Sequence, residues 1–190
     1  MTRYAPDWPL ETERLLLRPF TDDDYDVLHE MRSSEKVSRY LYSYPFSPER
    51  THDFLQVKVA GASVEHEGQW LSAAAALRET GEVVADVALL WASEEHRQGE
   101  IGFVVLPAHQ GCGYATEASW PLLTFGFETL GLHRIFGRLD ARNDASARVL
   151  EKLGMRREAH LVENEWIKGE WQSEIVYALL AAEFRAVHTP

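Results

Sequence analysis

One segment constrains the fold more than any other: Ile101-Gly-Phe-Val-Val-Leu-Pro-Ala-His-Gln-Gly-Cys-Gly-Tyr-Ala-Thr116, an apolar strand, a turn bearing two spaced glycines and the start of a long helix. Glycine lets the backbone turn tightly and approach a ligand, and the first amides of a helix have no partner within it. Together with the positive end of the helix dipole, such a turn can hold a pyrophosphate. A dinucleotide fingerprint would need a further glycine or alanine where Thr116 stands and an acidic residue about 20 positions on, and a triphosphate loop would need Gly-Lys-Ser/Thr. Neither is present. A nucleotide-binding oxidoreductase or kinase is disfavoured on that ground.

The rest of the chain arranges itself about this turn. Residues 14–19 read as a strand, and Thr21-Asp-Asp-Asp24 as a capping box opening a helix through about Met31. Ser47-Pro48 starts a second helix that Gly61 interrupts. Between them the aromatic run Tyr40-Leu-Tyr-Ser-Tyr-Pro-Phe46 fits either core packing or one wall of a cleft. Three antiparallel strands are predicted over 69–106, separated by Thr80-Gly81 and by the polar stretch 93–99. A helix follows over 113–130, with Pro121 marking a kink or a shifted start and Gly131 closing it. Residues 134–140 form the next strand, and Asn143 caps a helix with Val149, Leu150 and Leu153 on one face. Residues 155–167 and 170–180 make a hairpin about Lys168-Gly169, and the final residues read as a tail. This order points to one mixed α/β sheet with helices on both faces.

Composition narrows the function. At 190 residues with 45% hydrophobic content, residues 1–190 are expected to form a single domain. The formal charge of −11 argues against a nucleic-acid binder with a broad basic face and favours a cationic substrate, so any phosphate site must be local. The single cysteine, Cys112, forms no internal disulfide, and no Cys/His cluster has metal-ligand spacing, so no metal is predicted. No apolar run reaches the roughly 18 to 20 residues that cross a bilayer, and residues 1–13 lack a leader pattern, so a cytoplasmic location without membrane association is expected.

The stretch Gln110-Gly-Cys-Gly113-Tyr-Ala115 fits the pattern Gln/Arg-x-x-Gly-x-Gly/Ala. With it stand Glu11-Thr-Glu-Arg-Leu-Leu-Leu-Arg-Pro19, Thr129-Leu-Gly-Leu-His-Arg134, Asn143-Asp-Ala-Ser146, Val149-Leu-Glu-Lys-Leu-Gly154 and Val176-Tyr-Ala-Leu-Leu180. In these blocks the chain resembles the GNAT acetyltransferase superfamily, most nearly its RimJ/RimL branch. The resemblance implies a single, mostly antiparallel sheet splayed between two central parallel strands, 101–106 and 134–140, with acetyl-CoA as co-substrate wedged in the split. The main chain of Phe103, Val104 and Val105 would bond the pantetheine amides. Gln110, Gly111, Cys112, Gly113, Tyr114, Ala115 and Thr116 would hold the pyrophosphate, and Asn143 would contact the pantetheine arm in addition to, or instead of, capping its helix. Related chains often carry Lys or Arg where Cys112 stands, so His109 or Arg148 is a candidate for the missing phosphate contact. A homodimer is expected from the family and from six tryptophans that one core does not readily hold.

Transfer to an amine needs a neutral nucleophile, a polarised thioester carbonyl and an acid for the departing thiolate. By resemblance, Glu165 is the base acting through water and Ser146 the acid. Glu100, at the start of the phosphate-loop strand, is the second choice of base. Asp86 in the apolar run 83–90 is either paired in the cleft or marks an exposed face. The acceptor most in keeping with the branch is a protein N-terminal α-amine, as in ribosomal-protein-alanine acetyltransferases. Alternatives are a small amine or aminoglycoside-type drug, or a non-catalytic acyl-CoA-binding module.

Overall fold

A computed structural model describes residues 2–188. Strands β1, Leu10–Glu11, and β2, Leu15–Arg18, lead through a 3-10 turn at Asp22–Asp24 into helix α1, Tyr25–Ser33. The capping box forms as expected, with the Thr21 N–H donating to Asp24 at 2.8 Å. After α2, Glu35–Ser38, comes α3, Pro48–Ala60, where Ser47 accepts from the Arg50 N–H. Gly61 is the C-cap of α3 rather than an interruption within it, and a Cβ there would stand 2.8 Å from the Trp70 carbonyl oxygen, so the close approach requires glycine.

Strands β3, Trp70–Leu77, β4, Val83–Ser93, and β5, Gln98–Val105, make the antiparallel meander. Helix α4, Tyr114–Thr124, passes through Pro121 and continues as a π-helical turn at Phe125–Thr129. Gly126 in that turn lets the helix lie close on the sheet, since a Cβ would approach Ile135 and Leu89 to 2.8 and 2.9 Å. Then follow β6, Arg134–Asp140, α5, Asp144–Lys152, β7, Arg156–Ile167, and β8, Glu170–Leu180. Lys168 and Gly169 both take positive φ, the geometry that lets a two-residue turn follow the strand twist. The final residues form helix α6, Ala181–His188, rather than a tail. Phe184 drives this, being 1% exposed with its ring 4.8 Å from that of Phe127.

The eight strands form one sheet in the order β1-β2-β3-β4-β5-β6-β8-β7, and only β5 and β6 are parallel. Alternation along β3 fills both faces. Leu71, Ala73 and Ala75 join the core with α4, α5 and α6, while Ala74 and Ala76 join Leu28, Met31 and Leu55 of α1 and α3. Asp86 pairs across the ladder with Ala74, so the second face carries it toward α1 and α3.

Phe184→Ala should destabilise the fold by roughly 3–5 kcal/mol in urea unfolding. A change within about 0.5 kcal/mol, the size expected at an exposed position, would mean that α6 does not pack.

Candidate active site

Strands β5 and β6 pair in parallel only from Gln98 to Glu100, opposite Arg134 to Phe136, and then part. At the point of parting, Arg138 donates from Nε and Nη2 to the two oxygens of Glu100 at 3.1 Å each. Beyond it, Leu150 of α5 lies under Gly137, where a Cβ would meet its methyl groups at 2.9 Å. Two cavities open on this split.

The first, of about 410 Å³, is lined by Phe103, Val104, Val105, Gln110, Gly111, Gly113, Tyr114, Ala115 and Thr116, with Asn143 and Ser146 opposite. Of the residues expected to hold the cofactor, all but Cys112 line it. The Cys112 side chain is exposed, and its carbonyl accepts from Arg14 at 3.0 Å. Gly111 and Gly113 have φ of 83° and 85°, which side-chain-bearing residues rarely adopt. Gly113 is the N-cap of α4 and no side chain caps the helix, so its first amides keep their hydrogen-bonding capacity for a ligand. Asn143 does cap α5, accepting from the Ser146 N–H at 3.1 Å. Lys36, Arg39, Arg148 and Lys152 also line the cavity, and none of them joins an ion pair among the described residues. His109 lines it too, bonded to Glu82 at 2.9 Å. A chain of charge −11 thus carries a locally cationic pocket at its glycine turn.

The turn is held from outside by residues that sequence reasoning missed. Glu117 accepts from Thr12 Oγ1 at 2.6 Å, from the Arg14 N–H at 2.7 Å and from Arg14 Nε at 2.7 Å. The Arg14 guanidinium lies 4.7 Å from the centre of the Tyr114 ring. Burial would push the Glu117 carboxyl up, but these donors hold it below its ordinary 4.5.

The second cavity, of about 370 Å³, shares Tyr40, Leu41, Phe103, Val104, Asn143 and Ser146 with the first. Tyr42, Phe54 and Trp70 give it aromatic walls, so the run 40–46 contributes a cleft wall. Lys168 fixes that wall, its ammonium donating to the carbonyls of Ser38 and, at 2.7 Å, of Leu41. The Tyr42 hydroxyl donates to buried Glu174 at 2.8 Å, and burial together with that carboxylate holds the phenol far above its ordinary range. Asp86 lines the cavity, paired with Arg32 at 2.5 Å and Lys58 at 2.7 Å. Glu100 lines it as well, whereas Glu165 lies on β7 opposite Gln172 and lines neither cavity. Ser146 lines both. Among the described residues no group of His, Cys, Asp and Glu side chains could hold a metal, and no helix is long and apolar enough to cross a membrane.

A sheet split between parallel strands, with a phosphate-ready helix terminus at its mouth and a second cavity joined behind it, defines an acyltransferase that draws on acetyl-CoA. The acetyltransferase (GNAT) domain family matches residues 14–156, and the chain belongs to that family. It is 32% identical over 175 residues to an uncharacterized N-acetyltransferase, YnaD, of Bacillus subtilis (strain 168), covering 92% of this chain and 98% of that one. It is 24% identical to the spermidine N(1)-acetyltransferase of Escherichia coli (strain K12), over 90% of this chain and 89% of the relative. The crystal structure of a GNAT-family acetyltransferase from Bacillus anthracis superposes with a TM-score of 0.82 at 32% identity, over 92% and 99% of the two chains.

Gly113→Val should raise the Kd for acetyl-CoA more than about tenfold in a calorimetric titration, because a β-branched residue cannot hold that φ; unchanged affinity would refute the role of the turn. Glu117→Gln tests the clasp behind it by pH. A depressed carboxyl stabilises the fold fully above 4.5 and less as pH falls through its folded value. The melting-temperature gap between wild type and Glu117→Gln should therefore be full near neutrality and close in acid; a gap that does not vary with pH would refute it.

Proposed function

We propose that this N-acetyltransferase acts on the α-amine of a protein N-terminus, as RimJ/RimL-like enzymes do. The observation that carries the reading is the state of the carboxylates in the second cavity: Asp86 is paired with two cations and Glu100 with Arg138, so both are engaged. An α-amine of pKa near 7.8 is roughly 10 to 15% neutral at pH 7, whereas an alkylamine near 10.4 is neutral about once in 2,500, a difference of about 3.5 kcal/mol. A site whose carboxylates are all engaged with cations suits the amine that needs the least help in losing its proton. The same pairing leaves little to hold the several charges of a polyamine, the acceptor in the name of the Escherichia coli relative.

In this reading the diphosphate of acetyl-CoA sits on residues 110–116, and its pantetheine arm follows Val105, Val104 and Phe103 to the junction of the cavities. Asn143 serves the arm while capping α5. The acceptor enters through the second cavity. Its nitrogen attacks the acetyl carbonyl carbon, the carbon–sulfur bond breaks, the nitrogen loses its proton to a carboxylate and the thiolate takes one from Ser146, which lines both cavities and regains its proton from solvent as the carboxylate releases its own. For the carboxylate, the cavity favours Glu100 over Glu165, because Glu100 borders the acceptor space. Cytoplasmic residence, one catalytic unit over residues 1–190 and a homodimer belong to the same proposal; the exposed Trp166 and Trp171 on the β7–β8 hairpin support the dimer.

Steady-state kinetics on an N-terminal peptide tests the assignment. Glu100→Gln should lower kcat by about 10²-fold or more with the affinity for acetyl-CoA retained, the size typical of losing a general base, and Glu165→Gln should lower it less. The opposite ranking would return the role to Glu165.

A further inference from the structure

The floor of the second cavity holds an imbalance of charge. Arg32 of α1 and Lys58 of α3 converge on the single carboxylate of Asp86, through Arg32 Nη2 to Oδ2 and Lys58 Nζ to Oδ1. Two basic side chains thus share one carboxylate, although burial pulls the Lys58 ammonium below its ordinary range. All three residues line the cavity, and the Arg32 Nε is buried with no hydrogen-bond partner. Both cations also lie near the ring of Phe54, with Arg32 Cζ 4.9 Å and Lys58 Nζ 5.1 Å from its centre. That ring fixes them in place without neutralising them. Elsewhere along the cavity the balance is reversed, since the single cation Arg138 faces two carboxylates, Glu100 and, at 3.9 Å, Glu174.

The position of the imbalance gives it meaning. Asp86 is the ladder partner of Val104, which lines both cavities, so the cation pair adjoins the place where they meet. A half-buried guanidinium whose Nε–H has no partner is ready for a carboxylate, which can accept two parallel bonds from such a group. The net charge of −11 attracts a cationic amine to the protein, whereas this floor repels a second cation and holds an anion.

We propose that the acceptor bears a carboxylate as well as its amine, and that this carboxylate docks on Arg32 and Lys58 at the cavity floor. The inference rests on the acetyl-transfer reading and names the substrate class for it. The carboxylate has two sources of one chemistry: an acidic residue beside a peptide N-terminus, or the α-carboxylate of a free amino acid.

The experiment measures thiol release from acetyl-CoA with matched acceptors on the full-length protein. Ala-Asp-amide is compared with Ala-Asn-amide, phenylalanine with phenylalaninamide at equal concentrations of neutral amine, and spermidine serves as the polycation. The carboxylate member of at least one pair should have a kcat/KM about tenfold or more above its neutral partner, the gain of one charge-assisted contact, and should exceed spermidine. A preference confined to the dipeptides assigns the carboxylate to an acidic peptide residue, and one confined to phenylalanine assigns it to a free amino acid. Arg32→Gln should bring the ratio toward one without altering the Kd for acetyl-CoA. Should that variant not fold, the wild-type ratios alone decide. Neutral members used equally well, or spermidine used best, would overturn the anion site and leave acetyl transfer intact. Acetylation of no amine while acetyl-CoA binds would overturn the transfer reading and this inference with it.

Discussion

The parting of β5 and β6 after three paired residues governs the rest of the molecule. Backbone N–H and C=O groups removed from a ladder need other partners, and two strands that stop pairing in mid-sheet create that need where ligand-sized space exists. Local causes enforce the split. Leu150 of α5 wedges against Gly137 just beyond the last paired residues. The Glu100–Arg138 pair spans the two strands at the fork itself.

The protein engages its buried acids with cations or hydrogen-bond donors. Asp24 is held by Arg18, Asp86 by Arg32 and Lys58, Asp140 by Arg142, and Glu174 by Tyr42 and Asn164. Hydrogen bonds and nearby cations keep the Asp24, Asp86 and Asp140 carboxyls below their ordinary range although burial would raise them. Removing one partner would strand a charge away from water, a far larger penalty than the pair's net contribution. The excess acidity lies elsewhere, and the pocket at the glycine turn keeps its cations available.

What the sequence revealed was local. The glycine turn, the Asn143 cap, the Thr21 box and Ser47-Pro48 each depend on residues within four positions of one another, so their chemistry is legible without the fold. The partners of Asp86 were not, because they come from helices 28 and 54 positions away. The clasp of Arg14 on Glu117 closes across 103 positions. Helix α6 was missed because its signal is one aromatic residue whose partners lie in the π-helical turn and beyond. The place of Glu165 depends on a bulge between Leu161 and Glu165, with Glu163 at positive φ, and side-chain alternation does not carry across such a break.

The amino-acid order alone thus determined a mixed sheet and a phosphate-ready helix terminus, while the acetyl-CoA chemistry came from the resemblance of its motif blocks to the GNAT family. The sheet and the terminus follow from glycine conformations, caps and hydrophobic periods, which act over a few residues. Tertiary structure alone decided which carboxylates border the second cavity and which cations stay outside ion pairs. Electrostatic pairing joins residues that only the packing of α1 and α3 on the sheet brings within hydrogen-bond reach.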